Sequence, residues 1–260
     1  LNPVTVKGYS RSAYRTGYFI KPYNIYLDAG LPYSVPANLV LVSHGHNDHI
    51  AALYSIIKES KSPVVGLPRE IIGTVTQMLN NTYQLDSHTR NPFCNWMPNG
   101  EDSFTIVINS NMMHIRCFKL DHRVPCKAYG ISEIKKKLKQ QYSDLTGKEI
   151  GILKEKVEIY DTIDIGIILF VSDTSKRALP DLPFQNYHIV IIECTFLDSN
   201  HYSESIKRKH LHWDDLEPII QKIPNTIFIL GHFSARYKDD YIKDFYLEKK
   251  SIYSNVIFWI

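Results

Sequence analysis

Short runs of apolar, β-branched residues alternate along the chain with stretches whose apolar side chains recur every three or four positions. Leu39 to Val42 is such a run, and Ile50, Leu53, Tyr54 and Ile57 follow it at helical spacing, so strand, loop and helix are predicted in succession. Pro68 is placed to open a second helix carrying Ile71, Ile72, Val75, Met78 and Leu79, because its fixed φ suits a first turn and its missing N–H is not needed there. Asp214 to Ile223 predicts a third, with Leu216, Ile219, Ile220 and Ile223 turned inward. Ile115 to Leu120, Ile165 to Val171 and Ile227 to Leu230 read as further buried strands. The alternation predicts an α/β fold, and no internal repeat or low-complexity linker interrupts it.

At 260 residues the chain is long enough for one sizeable core, and a single domain over 1–260 is expected. With 44% hydrophobic and 22% charged residues the composition is that of a folded globular protein, which excludes the disordered class. A net charge of +3 and a pI near 8.5 permit an anionic partner without requiring one. Cys94, Cys117, Cys126 and Cys194 form no CxxC pair. That excludes a zinc-finger spacing and a disulfide framework, and it fits a reducing, intracellular setting, cytoplasmic or, in a eukaryote, nuclear. No apolar run approaches the roughly 18 residues of a membrane span, so no membrane partner is expected. The chain begins at Leu1, which leaves a trimmed N-terminus and a targeting segment ahead of it open.

Charge concentrates between 131 and 160, where Lys135, Lys136, Lys137, Lys139, Lys148, Lys154 and Lys156 meet Glu133, Asp144, Glu149, Glu155 and Glu158. Two readings stand side by side: a solvated helix or hairpin, or a protruding basic arm that grips nucleic-acid backbone.

The candidate chemistry begins where the first strand ends. Ser43-His44-Gly45-His46-Asn47-Asp48-His49 puts four potential ligands, His44, His46, Asp48 and His49, between a strand-like run and a helix. Imidazoles suit zinc and other borderline metals, and a carboxylate adds a hard oxygen that helps neutralise a second cation. His122, Asp173 and His232 each lie just past one of the other buried-looking strands, where a rigid sheet feeds a freely varying loop. Together they predict a two-metal hydrolase. Asp28, in Asp28-Ala29-Gly30 at the end of an earlier strand, is a candidate acceptor for the second nitrogen of a ligand imidazole; a simple turn role is the alternative. His88, His114, His188 and His201 lack such a context and read as core or surface residues.

Around these ligands the chain resembles the metallo-β-lactamase superfamily and, within it, the short-form tRNase Z (ribonuclease Z) enzymes, the plant-type short form above all. The segments that carry the likeness are His44-x-His46-x-Asp48-His49, His122-Arg-Val-Pro-Cys-Lys-Ala-Tyr129-Gly130, Ser172-Asp173-Thr174, Glu193-Cys-Thr195-Phe196-Leu197-Asp198, His210-Leu211-His212 and His232-Phe233-Ser234-Ala235-Arg236-Tyr237. The last is the most specific; the first marks only the superfamily, whose substrates range from lactams to phosphodiesters.

The resemblance implies an αββα sandwich with a short inserted basic arm, and two Zn2+ per chain, with Mn2+ or another divalent metal as the alternative. It implies one ion on His44, His46 and His122, the other on Asp48, His49 and His232, and Asp173 between them. It further implies catalytic roles for Asp48, His210 and Glu193, with Glu193 orienting a proton-donating His210 and His212 as the near alternative. Tyr129, Thr174, Thr195, Ser234 and Arg236 become substrate-binding candidates, as do Lys135, Lys136, Lys137 and Lys139 on the arm. The implied activity is removal of the 3′ trailer from precursor tRNA by a homodimer. Another hydrolase on the same scaffold, such as a small-molecule phosphodiesterase, and a catalytically silent RNA-binding relative are the competing readings. Ser172 replaces the family's usual glycine, Ala128 replaces the glycine before Tyr129, and Ile192 stands where many members have histidine. The region from Lys7 to Tyr18 lacks the family's proline- and asparagine-containing loop, and the arm lacks a Gly-Pro-rich tip.

Overall fold

A computed structural model describes residues 3–86, 94–97 and 102–260. The expectation for His88 lies outside them. Six strands, β1 (Thr5–Arg11), β2 (Arg15–Lys21), β3 (Ile25–Leu27), β4 (Leu39–Leu41), β5 (Val64–Gly66) and β6 (Asn95–Trp96), form one sheet in chain order. Seven more form the second, also in chain order: β7 (Ser103–Ile108), β8 (Asn111–Lys119), β9 (Lys127–Leu138), β10 (Tyr160–Val171), β11 (Tyr187–Glu193), β12 (Ile227–Gly231) and β13 (Val256–Phe258).

Period-2 alternation decides how the layers stack. Leu39 and Leu41 of β4 and Ile168 and Phe170 of β10 face each other in the core between the sheets. Val40 and Val42 turn the other way, onto helices α1 (Asn47–Ile50), α2 (Leu53–Lys58) and α3 (Ile72–Asp86). Leu169 and Val171 turn outward beneath α6 (Trp213–Lys222) and α7 (Asp239–Ile252), where Leu216, Ile220 and Ile242 cover them. Strands buried on both faces need continuous apolar runs, which is why those runs were conspicuous. The layers are helix, sheet, sheet, helix: the αββα sandwich. Ile192 and Ala128, two of the departures, fill the core beneath α6.

The helix expected through Ile50 and Ile57 is broken at Ala51–Ala52. The cause lies in Asp28-Ala29-Gly30: the Ala52 N–H donates to Ala29 O at 2.8 Å and the Ala29 N–H donates to His49 O at 2.7 Å. A Cβ on Gly30 would fall 1.9 Å from Asp48 O and 2.5 Å from Thr16 O, both backbone atoms. Gly30→Ala is therefore expected to cost about 3 kcal/mol or more, read as a lower urea midpoint at unchanged slope. Gly73→Ala is the control, because nothing lies within 4 Å of that site in α3; it should be neutral or stabilising by up to about 1 kcal/mol.

The charged stretch continues the β9–β10 ladder, which runs from Phe170↔Tyr129 out to Tyr160↔Leu138. Residues 131–134 belong to the sheet itself, since β8 pairs with β9 as far as Met112↔Ile134. The projecting part begins at Lys135 and ends in a tip with α4 (Gly147–Leu153), whose start is closed by a capping box between Thr146 and Glu149. Lys135 pairs with Glu133 at 3.3 Å, and Lys139 Nζ donates to Glu158 O at 2.8 Å. Lys136 and Lys137 are exposed.

Candidate metal centre

The predicted ligands gather at one edge of the sandwich, His44, His122, Asp173 and His232 just beyond a strand's C-terminal end and His46, Asp48 and His49 at the start of α1, and the sheets are tied there by the Lys127 N–H donating to Ser43 O at 3.0 Å. Two imidazole groups converge. In the first, His44 Nε2 and His46 Nδ1 are 2.9 Å apart, and His122 Nε2 is 3.4 Å from His46 Nδ1. In the second, His49 Nε2 and His232 Nε2 are 3.3 Å apart, with Asp48 Oδ2 3.4 Å and 3.7 Å from them. Asp173 stands between the groups. Its Oδ2 lies 3.6 Å from His44 Nε2 and 3.7 Å from His122 Nε2, while its Oδ1 lies 3.4 Å from His232 Nε2 and 3.6 Å from His49 Nε2.

The opposite ring nitrogens are held by the protein. His49 Nδ1 meets Asp28 Oδ2 at 2.7 Å, His44 Nδ1 meets Ser43 Oγ at 2.9 Å, His232 Nδ1 meets Thr195 Oγ1 at 2.9 Å, and His122 Nδ1 donates to Lys209 O at 3.1 Å. Such contacts fix tautomer and ring orientation. Asp28 therefore does more than turn the chain. Its other oxygen accepts from the Ser43 N–H at 2.7 Å. Ser172, where the enzymes this chain resembles have glycine, joins this network, with its Oγ 2.9 Å from Ser43 Oγ and 3.3 Å from Asp28 Oδ2.

Burial depresses the basicity of His44, His46 and His122, which favours the neutral, metal-ligating form. His49 goes the other way: burial opposes its charging, but Asp173 and Asp28 prevail and raise it. Asp48 and Asp173 fall below the usual carboxylate range, because His232 and His49 outweigh their burial. Asp173 Oδ1 is a buried oxygen without a hydrogen-bond donor, a costly state unless something else neutralises it. Ligand-capable atoms of His44, His46, His122 and Asp173 lie within 4.8 Å of one another, as do those of Asp48, His49 and His232. The donor set and the orphaned oxygen fit divalent metal.

His210 flanks the centre. Its Nδ1 is 3.0 Å from Glu193 Oε1 and its ring stacks on His232 with centroids 5.5 Å apart. Glu193 also accepts from the Thr174 N–H at 2.8 Å and from Thr195 Oγ1 at 2.5 Å. Burial lowers the basicity of His210, but Glu193 overrides it and pushes the pKa up to about 9. His212, the alternative, is fully buried and caps α6 by accepting from the Asp214 N–H at 3.1 Å.

Tyr129, Thr174 and Thr195 are 0%, 0% and 3% exposed, and their hydrogen bonds are made within the protein. The Tyr129 hydroxyl donates to Val42 O at 2.8 Å and braces the ligand loop, and the threonines hold Glu193 and His232. Motif position placed these residues near the centre but could not show which way they face. Ser234 Oγ accepts from Arg236 Nε at 3.1 Å, and the Arg236 guanidinium forms a bidentate pair with Glu204 at 2.7 and 2.8 Å. His114 pairs with Asp164, His188 donates to Gly166 O and His201 meets the Tyr237 hydroxyl, all away from the ligands. Sequence reasoning passed over Ser43 and the Lys209 carbonyl. Adjacency to His44 could have pointed to Ser43, whereas a backbone carbonyl carries no residue signal.

No protein-family model matches the chain. Among curated proteins it is 28% identical to tRNase Z TRZ1 of Arabidopsis thaliana over 92% of this chain and 88% of the relative. It is 26% identical to the chloroplastic tRNase Z TRZ2 of the same plant, over 96% and 73%. Among solved structures, the metallo-beta-lactamase fold protein YhfI of Bacillus subtilis superposes with a TM-score of 0.65 at 16% identity, covering 99% of this chain and 96% of that one. Human tRNase Z, short form, gives 0.57 at 16%, covering 90% and 93%.

Proposed function

We propose that this chain, which has the metallo-β-lactamase fold and resembles tRNase Z nearly end to end, is a zinc-dependent endoribonuclease that removes the 3′ trailer from precursor tRNA. The observation that carries the reading is the division of Asp173, one oxygen facing each imidazole group. His44, His46 and His122 would hold one ion, Asp48, His49 and His232 a second, and Asp173 both. Two bound zinc ions would lower the pKa of a shared water toward neutrality and draw charge from the phosphoryl oxygens.

The residues do the rest. The Ala13 N–H donates to Asp48 Oδ2 at 3.0 Å and holds that carboxylate toward His49 and His232. Glu193 keeps Nδ1 of His210 protonated, so that Nε2 is the atom that delivers a proton to the departing 3′ oxygen. The exposed Lys136 and Lys137 face phosphates of the tRNA body, and the active form is a homodimer that docks tRNA on one subunit and cuts on the other.

Incubation of the zinc-loaded protein with a precursor tRNA should yield one cut directly after the discriminator nucleotide, leaving a 3′ hydroxyl on the tRNA and a 5′ phosphate on the trailer. Hydrolysis of small phosphodiesters with the precursor left intact would replace this reading by the small-molecule one.

A further inference from the structure

Beside His210 lies a cleft of about 190 Å³ between the turn after Asp173 and helix α5 (Tyr202–Arg208). His210 is a wall of this cleft, whereas no predicted metal ligand lines it. Lys176, Arg177 and Lys209 supply its cations, and Asp121 and Asp215 its anions.

The two carboxylates are already committed. Asp121 takes Lys209 Nζ at 2.6 Å on one oxygen and the Ser175 hydroxyl at 2.5 Å on the other. Asp215 accepts from the Tyr202 hydroxyl at 2.9 Å and from the His212 N–H at 3.1 Å. Among the described residues, Lys176 Nζ donates to the Tyr202 hydroxyl at 2.8 Å and lies 5.2 Å over that ring. Arg177 is exposed and has no ion-pair partner among the described residues. Lys176 and Arg177 thus bring to the cleft, beside His210, two cations that form no salt bridge among the described residues, although Asp215 and Asp121 act on them from a distance.

The direction of the chemistry says what would enter it. His210 protonates the oxygen that leaves, and that oxygen belongs to the nucleoside that keeps the 3′ hydroxyl. The next phosphate along an RNA backbone lies one nucleoside from the scissile one, and the cleft is the cationic recess that His210 itself walls. We propose that the cleft seats that phosphate, the 5′ phosphate of the nucleoside that retains the 3′ hydroxyl, between Lys176 and Arg177. The assignment rests on the RNA-cleaving reading above. It makes the pair a device for placing the leaving oxygen against Nε2 of His210, since a backbone fixed at both phosphates cannot rotate the bond between them away.

The test uses the full chain loaded with zinc and a precursor tRNA in which that single linkage is replaced by an uncharged methylphosphonate. The wild-type protein should lose about 10- to 100-fold in kcat/KM on the neutral linkage, as expected for one charge-assisted contact. Lys176→Ala combined with Arg177→Ala should lose a similar factor on the unmodified precursor. It should lose less than about 3-fold more when the linkage is neutral, because the two changes remove the same contact. Neutralising a linkage several nucleotides upstream should instead multiply with the double substitution. Losses that multiply at the proposed linkage as well, or a wild type indifferent to its charge, would overturn the assignment while leaving tRNA cleavage standing. Failure of the wild type to cut the unmodified precursor would remove both.

Discussion

Asp173→Ala is expected to leave the protein folded but unable to keep its metal, with cleavage of precursor tRNA reduced by roughly 10³- to 10⁴-fold or more. The magnitude follows from the several kcal/mol that a bound cation contributes to a phosphoryl transition state. Removing Asp173 takes away the only side chain among the described residues whose two oxygens face both imidazole groups, the nearest contacts being 3.4 Å to His232 and 3.6 Å to His44 and His49. It also leaves His49 beside Asp28 and Asp48 alone, so a proton rather than a second ion satisfies that group. Metal analysis by mass spectrometry is the primary readout, with far-ultraviolet circular dichroism as the control for folding. His232→Ala should lose the second ion with retention of the first. A variant of either kind that kept both metals and full turnover would remove the residue from the ligand set.

His210→Ala should separate catalysis from binding. Turnover is expected to fall about 10²- to 10⁴-fold while metal content and RNA affinity are kept, the pattern of a lost general acid. The groups facing His210 are Glu193 at the end of β11, Asp173 after β10, the imidazoles of His122, His232 and His49, and the neighbouring Lys209. The two carboxylates win over burial and the cationic neighbours, so the imidazolium persists through neutrality and is lost as pH rises through about 9. Glu193→Gln removes the larger support. The alkaline limb of kcat/KM should then move to lower pH, whereas a histidine that only touched phosphate would show weaker binding without that shift. Retained turnover with weakened binding in His210→Ala would assign this residue to substrate contact.

The ligands could be read from the sequence because they combine a dense cluster with repeated placement. Four of them crowd into six residues after an apolar run, and His122, Asp173 and His232 recur after similar runs. A buried strand imposes a hydrophobic pattern that ends where the loop begins, so position alone marks the catalytic edge. Orientation is another matter. Tyr129, Thr174 and Thr195 sit in the right motifs, yet which side of the backbone they take depends on the register of strands far apart in sequence. Ser43 and Ser172 meet across the two sheets, a contact 129 residues apart that no local pattern encodes. The break after Ile50 was hidden for the same reason, since its cause is the approach of Gly30 to Asp48 O.

Strands β9 and β10 serve two masters: at one end they carry Tyr129 against Val42 and lead into Asp173, and at the other they become the lysine-bearing projection. A paired ladder is stiff along its length, so the projection behaves as a cantilever clamped in the catalytic wall rather than as a tethered flap. Its reach is set by residue count, at about 3.4 Å for each residue added to both strands, and its phase by parity. Deleting one residue from both strands would shorten it by a single step and also rotate its decoration, turning the face that shows Lys136 over to the one that shows Lys135 and Lys137. Length changes in the tip around α4 carry no such penalty. Drift in the projection should therefore accumulate at its tip, while its strands change length in pairs of residues.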